Sequence, residues 1–497
     1  MKKNVADLSK MPEIVMAFYS KKDYNDLLCF ILTEMMDLTD ADGGTLYVIE
    51  EGKLHFRIMK TASMNYFRGP TDRIDLPPIS LDEKNISNIS AYAAIKNELV
   101  NIDDVYGNTE FNFSGPKNYD AMTGYHTHSM LVFPLTSSSG EEEEVIGVIQ
   151  LINSIDGETG QVKPFDYSEY EMQFLRALSN ISANALSNLQ QAKEIKELFN
   201  SFVRVMTKAI DERSRYNVNH TNNVARYCGD FAIYLSNIFP YGHELHFDEN
   251  RREKLIMAAL LHDIGKIVTP LEIMDKPSRL HNRIYVIQYK FQIKKLQLEI
   301  AYLTDKISVQ QYEAELEALD EALGLIEQTN PSGYLEDDKA ESIEELSHIT
   351  YENKKGVTAP ILTEYDMDSL TVKNGTLTEN ERKIMQEHVS VTERLLAEMS
   401  FNKFYRKVPE WAKDHHEFLD GTGYPRGLSG DSISVETCIL SMTDVYDALT
   451  ARDRPYKKAT PPEKALDILS GMAENGKLHK ELVDLFIKSR VWAPDSD

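Results

Sequence analysis

Five histidines and two aspartates, His220, His262, Asp263, His388, His415, His416 and Asp444, are spread over more than two hundred residues, yet each sits in a patterned context. The densest stretches read LLHDIGKI (260–267) and HHEFLDGTGYP (415–425). Imidazole nitrogens combined with carboxylate oxygens suit borderline-hard divalent metals, and two ligand-rich pairs point to two ions rather than one. Lys266 follows His262 by four residues and Asp263 by three, so on a helix all three can face one cavity. The apolar run before His262 buries that helix, and a buried His–Asp pair needs partners. His415 and His416 close another helix, where neighbours diverge by about 100°; they approach one metal from different sides or span two. Asp444, in ILSMTDVYDALT, would be a costly carboxylate among apolar neighbours if unpaired. Singly, each residue has an ordinary explanation, as a satisfied core histidine, a cap or an ion-pair member. The conjunction of HD-x-x-K with HHE-x-x-DG-x-GYP is what sets them apart.

The elements that must hold these residues are mostly helical. Apolar periodicity recurs at 222–238, 251–264, 379–397, 434–450 and 462–471, with Thr378 and Glu381 forming a capping box ahead of the third. Strands are scarce from 205 to 488, which predicts an all-α bundle. Residues 168–212 contain neither Gly nor Pro and read as one long helix. Leu178, Ile181, Ala185, Asn188, Ala192, Ile195, Phe199, Phe202, Met206 and Ala209 step by three and four along it, a heptad seam expected to join two chains in parallel, with Asn188 fixing the register. Residues 20–167 mix helix and strand. An amphipathic helix (Leu27, Leu28, Ile31, Leu32, Met35) should end near ADGG (41–44), followed by a hairpin of GTLYVIE and KLHFRIM. SMLVFPLTS and EVIGVIQLIN read as buried central strands. An antiparallel sheet flanked by helices, an α+β module, follows.

The length, 497 residues, allows two or three domains, and the net charge of −25 argues against binding nucleic acid or an anionic membrane. An anionic substrate would then need a locally positive site, which bound metal ions can supply. Cys29, Cys228 and Cys438 are scattered without a CxxC, and there is no apolar run long enough for a membrane span; a cytoplasmic protein is expected.

Residues 20–167 resemble a GAF domain through DGGTLYVI, NELVNIDDVY, TGYHTHSMLVFPL and VIGVIQLIN. That resemblance implies a sensory or dimerising module with an unidentified small ligand. The signature of its cyclic-nucleotide-binding members is broken, with Ser154 after Asn153 and no acidic pair around Phe165–Asp166. Residues 168–204 would be a linking signalling helix. Residues 205–488 resemble the HD-GYP family, metal-dependent cyclic di-GMP phosphodiesterases of the HD superfamily, through HTNNVARY, LLHDIGKI, IMDKPSRL, TLTENERKIMQEH, HHEFLDGTGYPRGL and SMTDVYDALTARDRPYKK.

The resemblance implies a ligand set. One metal would take His220, His262, Asp263 and Asp444; the other would share Asp263 and take His388, His415 and His416. The ions would be iron or manganese. Some members bind a third metal through a Glu four residues before the first His; here that position is Tyr216, so two ions are expected. Such a pair activates water and clamps phosphate oxygens for in-line attack, with Lys266 on a phosphate oxygen. Gly421, Gly423, Tyr424 and Pro425, with Arg454 and Lys457, would line the substrate site. Cyclic di-GMP would open to linear pGpG, and possible further cleavage gives GMP. The alternatives are a related substrate such as 3′,3′-cyclic GMP-AMP, or a catalytically silent cyclic dinucleotide receptor. Residues 281–375 interrupt the pattern with a helical hairpin and an acidic, less regular remainder, as a lid, a dimer arm, a partner platform or a solvated decoration.

Overall fold

The computed structural model describes residues 11–138, 143–213, 219–451 and 459–493. The chain divides between Phe199 and Asn200 into two compact units.

The first unit is an antiparallel sheet between helical layers. Its strands are β1 (Ala41–Glu50), β2 (Lys53–Thr61), β3 (Tyr66–Arg68), β4 (Ile79–Ser80), β5 (Val100–Ile102), β6 (Met130–Ser137), β7 (Glu144–Ile155) and β8 (Val162–Lys163). They lie in the order β3-β2-β1-β7-β6-β5, with β4 on β2 and β8 on β7. Glu51 and Gly52 both take positive φ, 49° and 72°, the two-residue turn whose twist suits a hairpin. Helices α1 (Met11–Ser20) and α2 (Tyr24–Leu38) precede the sheet, and α3 (Ile89–Lys96) and α4 (Ser114–Thr123) interrupt it. One face packs Leu46, Leu131, Phe133, Ile149 and Leu151 against α2. The other packs Tyr47, Leu54, Val132 and Val148 against Ile89 and Ala93 of α3. With both faces covered, β6 is buried along its whole length.

Helix α2 stops at Leu38, just before ADGG as expected, and β1 takes in all four of those residues. The glycines serve packing there, since a Cβ on Gly43 or Gly44 would come within 2.8 Å of the Ile152 or Leu32 side chain. Asn153, in the left-handed region at φ 56°, accepts from the His128 amide at 2.7 Å and donates to the His126 carbonyl at 2.8 Å. That side chain ties β7 to the segment leading into β6.

A single helix, α5 (Glu169–Asp211), runs out of the first unit and into the second. Leu178 and Ala185 lie in the first unit's own core, and Phe199 and Met206 are half-buried. The outward apolar row is therefore Ile195, Leu198, Phe202 and Val205, 56–71% exposed. It shares Ile195 and Phe202 with the expected seam and is displaced to the neighbouring row elsewhere.

The second unit is helical: α6 (His220–Ile238), α7 (Glu249–Leu261), α8 (Leu271–Met274), α9 (Arg283–Leu303), α10 (Val309–Thr329), α11 (Asp337–Glu345), α12 (Glu364–Leu370), α13 (Glu379–Ala397), α14 (Val408–Lys413), α15 (Val435–Thr450), α16 (Pro462–Glu474) and α17 (Lys480–Ser489). Helices α9 to α12 have a core of their own around Phe291, Leu319, Ile326, Ile343 and Ile361. The acidic stretch after α10 is more regular than its composition predicts. It forms α11, α12 and a two-stranded ribbon, β9 (Thr350–Glu352) with β10 (Thr358–Pro360). Fully buried Arg279 organises it, donating to the Ser332 carbonyl at 3.0 Å and the Leu370 carbonyl at 3.2 Å. Among the described residues no helix is long and apolar enough to cross a membrane.

Candidate metal centre

Five separate segments deliver the seven side chains. His220 is the first residue of α6, His388 lies in α13 and Asp444 in α15. His262 and Asp263 are not on a helix as expected: α7 ends at Leu261, and the pair occupies the turn into a 3₁₀ segment, Ile264–Val268. His415 and His416 likewise follow α14 in a turn. His262, the C-cap of α7, still has helical dihedrals, and Asp263 departs from them, so the chain turns between the two members of that pair.

Asp263 is the hub. Its Oδ2 lies 3.4 Å from His220 Nε2, 3.1 Å from His262 Nε2 and 2.5 Å from Lys266 Nζ. Its Oδ1 lies 3.3 Å from His388 Nε2 and 3.9 Å from His415 Nε2. Asp444 Oδ1 stands 3.1 Å from His220 Nε2, and its Oδ2 3.7 Å from His416 Nδ1. Among the described residues, three overlapping groups of donor atoms each fall within 4.8 Å: His220/His262/Asp444, His262/Asp263/His415 and His388/His415/His416.

The backbone fixes which nitrogen faces the centre. Nδ1 of His262, His388 and His415 each donates to the carbonyl three residues earlier, at 2.6, 2.6 and 2.7 Å. Nε2 is then the lone-pair atom. Those three Nε2 atoms and Asp263 Oδ1 are buried and make no hydrogen bond. Buried polar atoms are normally satisfied, so convergent acceptors with no donor between them fit a divalent cation. Polarity agrees. Burial, with His416 and His262 nearby, holds His415 well below the usual imidazole range, and burial pushes His416 down to about 3. Both stay neutral and able to ligate. Burial raises Asp263 and Asp444, yet His262 and Lys266 beside the former, and His220 beside the latter, leave both well below the usual carboxylate range. His220 is the exception: burial opposes its charge, but Asp263, Asp444 and Asp447 hold it well above the usual value.

Several supporting residues escaped the sequence reading. Asp447 Oδ2 lies 2.7 Å from His220 Nδ1; the signal was its place three residues after Asp444 on one helix face. Gly265 lets the 3₁₀ turn sit against α13, where a Cβ would lie 1.9 Å from the His388 carbonyl oxygen. Thr392 Oγ1 accepts from the Gly265 amide at 3.0 Å and donates to the His262 carbonyl at 3.1 Å. Glu417 accepts from the Arg426 and Leu428 amides at 2.7 and 2.9 Å, and Arg426 pairs with Asp414. Asp211, whose place near the first ligand the sequence does show without assigning it a role, ends α5 and accepts from Thr221 at 2.9 Å, and burial pushes its carboxyl up to about 6.

The GTGYP loop has internal reasons for its glycines. Gly421 has φ 77°, and a Cβ on Gly423 would lie 2.4–2.6 Å from the backbone of residues 416–418. Gly423's close approach is to its own chain, not to open space for a ligand. Tyr424 packs its ring 4.8 Å from that of His416, beside the centre. Tyr216, Arg454 and Lys457 lie outside the described residues.

The sequence matches the GAF domain family over residues 23–186 and two HD domain families over 217–333 and 367–482. A GAF domain is thus followed by two segments that match HD domains. Curated relatives match parts of the chain to different extents. A 3′3′-cGAMP-specific phosphodiesterase 3 of Vibrio cholerae is 42% identical over 111 residues, 21% of this chain and 23% of its own length. The cyclic di-GMP phosphodiesterase response regulator RpfG of Xanthomonas campestris is 30% identical over 262 residues, 49% of this chain and 65% of its own length. A cyclic di-GMP phosphodiesterase of Thermotoga maritima is 37% identical over 122 residues, 24% of this chain and 32% of its own length. The chain thus spans from about a quarter to just under two thirds of these relatives.

In the GAF domain, a cavity of about 330 Å³ opens between the sheet and α3–α4, lined by Phe56, Met59, Ile89, Phe113 and Met130 around Gln150. Gln150 Oε1 accepts from Ser90 at 2.9 Å.

Proposed function

We propose that the HD domain hydrolyses a cyclic dinucleotide, cyclic di-GMP first, to its linear form with two bound divalent metals. The observation carrying this reading is the set of buried, undonated Nε2 atoms grouped about Asp263. Its two carboxylate oxygens face different histidines, which supports a bridge between one ion held by His220, His262, Asp263 and Asp444 and a second held by Asp263, His388, His415 and His416. The donor set suits iron or manganese. When bound, such ions supply Lewis acidity and activate water at neutral pH. The protein's part is orientation: the carbonyl bonds of His262, His388 and His415 and the Asp447 bond of His220 lock the imidazole planes. Lys266, whose Nζ lies 2.5 Å from Asp263, stabilises charge gathering on phosphate as the bond to the ribose 3′-oxygen breaks. Gly421, Gly423, Tyr424 and Pro425 line the substrate in this reading, and Arg454 and Lys457 are assigned to binding it. In this reading 205–488 is the catalytic domain with residues 281–375 inserted, 20–167 the sensory module and 168–204 the link. The chain works as a homodimer through the 168–212 helix. Further hydrolysis to GMP belongs to the same chemistry.

The relatives' names divide between cyclic di-GMP and 3′3′-cGAMP, so base identity is open to assay. Protein loaded with iron or manganese is offered both compounds, and metal per chain is counted. Turnover lost in Asp263→Ala supports the enzyme. Tight binding without turnover in loaded wild type would replace it with a receptor.

A further inference from the structure

Helix α9 of the insertion has two apolar faces. Ile287 and Phe291 pack with Leu319, Ala322 and Ile326 of α10, and Leu298 is buried on the same side. On the opposite side Val286, Tyr289, Ile293, Leu296, Ile300 and Leu303 form an unbroken row stepping by 3, 4, 3, 4 and 3 residues. They are 48, 71, 41, 53, 60 and 70% exposed. Single exposed apolar residues are ordinary on any surface. A continuous row of six marks an interaction site.

The residue types name the occupant. The spacing is a heptad with Val286, Ile293 and Ile300 at its a positions and Tyr289, Leu296 and Leu303 at d. β-Branched residues at a with leucine at d favour a parallel, two-stranded coil of like helices. Charge permits it despite the chain's net −25. In a parallel, in-register pair the flanking residues opposed are Gln292 with Gln297 and Glu299 with Thr304, so no like charges meet. Two nearby lysines are held on their own copy, Lys290 by the Ile361 carbonyl at 2.7 Å and Lys295 by Asp320 of α10. The row is short for a free-standing coiled coil. Here the helix is already formed on its packed face, so association need not order it.

We propose that α9 pairs in parallel with α9 of a second copy of this chain through this row, a surface separate from the exposed row on α5. The test uses the full chain with Cys29→Ser, since the other two cysteines are buried. Leu303→Cys, at one end of the row, is expected to form a covalent dimer under mild oxidation. Adding Ile293→Glu and Ile300→Glu should abolish it with the helical circular dichroism unchanged. Glu315→Cys, on the exposed side of α10, should not cross-link. The proposal is overturned if Leu303→Cys stays uncross-linked, whether the chain is then monomeric or dimeric by light scattering. It is equally overturned if Glu315→Cys cross-links as well as Leu303→Cys. Cross-linking in a mixture of Val286→Cys and Leu303→Cys chains that joins one to the other would show antiparallel pairing and overturn it too.

Discussion

Asp447 holds His220 from behind: its Oδ2 lies 2.7 Å from Nδ1, on the side of the ring away from Asp263 and Asp444. The carboxylate orients the imidazole and raises its basicity, so Asp447 acts on a ligand without touching the centre. Asp447→Ala should weaken manganese binding by roughly 10–100-fold, the usual effect of losing such a partner. Asp447→Asn keeps an acceptor for Nδ1–H and should recover most of it. Chelator competition reads both; equal losses in the two variants would assign the contact to charge alone.

Gly265 sets the distance between Asp263 and His388. A methyl there would sit 1.9 Å from the His388 carbonyl and 2.6 Å from the Thr392 amide, both backbone atoms of α13. Neither can swing aside, so α13 must move. Gly265→Ala should cost at least ~1–3 kcal/mol in urea unfolding, as overpacking does. It should also lower metal content, because Asp263 Oδ1 and His388 Nε2 separate from their 3.3 Å. A variant of unchanged stability with full metal would show that this contact is not tight.

The site was largely legible because its ligands come in dense motifs whose residue types announce metal chemistry. Its supports were not. Gly265 and Thr392 make sense only once the turn after α7 and α13 are brought together, which sequence spacing does not carry, and Asp447 had only its place three residues after Asp444 to mark it. The turns at His262–Asp263 and His415–His416 were read as helix because apolar periodicity runs up to each of them. In the first unit, alternation exposed β1 and β2 and apolar runs exposed β6 and β7, while the extension of β1 back to Ala41 was hidden because the packing of Gly43 and Gly44 against Ile152 and Leu32 is invisible in the chain. The acidic stretch after α10 looked irregular because its order depends on Arg279, some fifty residues upstream of Ser332.

Stability of the metal-free protein should fall with acid. His415 and His416 have folded-state values below the ordinary 6.5, the latter at about 3, chiefly because they are buried. As pH drops below about 6.5 the unfolded chain takes up protons that the folded chain refuses, and the balance shifts toward unfolding. This stabilisation is full above 6.5 and is lost progressively toward pH 3. His220 has the opposite sign: its contribution is present below 6.5 and disappears as pH rises through its elevated folded value. Urea midpoints of chelated protein should therefore decline from pH 7 to pH 5, and His416→Gln should flatten that decline. A midpoint that rises on acidification would contradict the assignment of neutral imidazoles at 415 and 416.

The insertion is bolted to the helix that carries His388. Lys276, buried just ahead of the insertion, donates to both oxygens of Glu381 at 2.9 and 2.7 Å, and Tyr365 of α12 donates to the same carboxylate at 2.7 Å. Glu381 also closes the capping box of α13 through Thr378. Burial raises this carboxyl, but Lys276 and Tyr365 leave it below its usual value, so it is ionised and depends on them. Removing one partner of a buried pair strands the other charge. Lys276→Met should therefore destabilise the protein by ~3–5 kcal/mol, within the range for broken buried pairs. Tyr365→Phe, losing one hydrogen bond to a charged acceptor, should cost ~1.5–3 kcal/mol. Thermal unfolding with and without manganese tests the further point that α13 transmits the damage. If the clip positions His388, metal should raise the melting temperature less in both variants than in wild type, whereas an equal increment would confine the network to local stability.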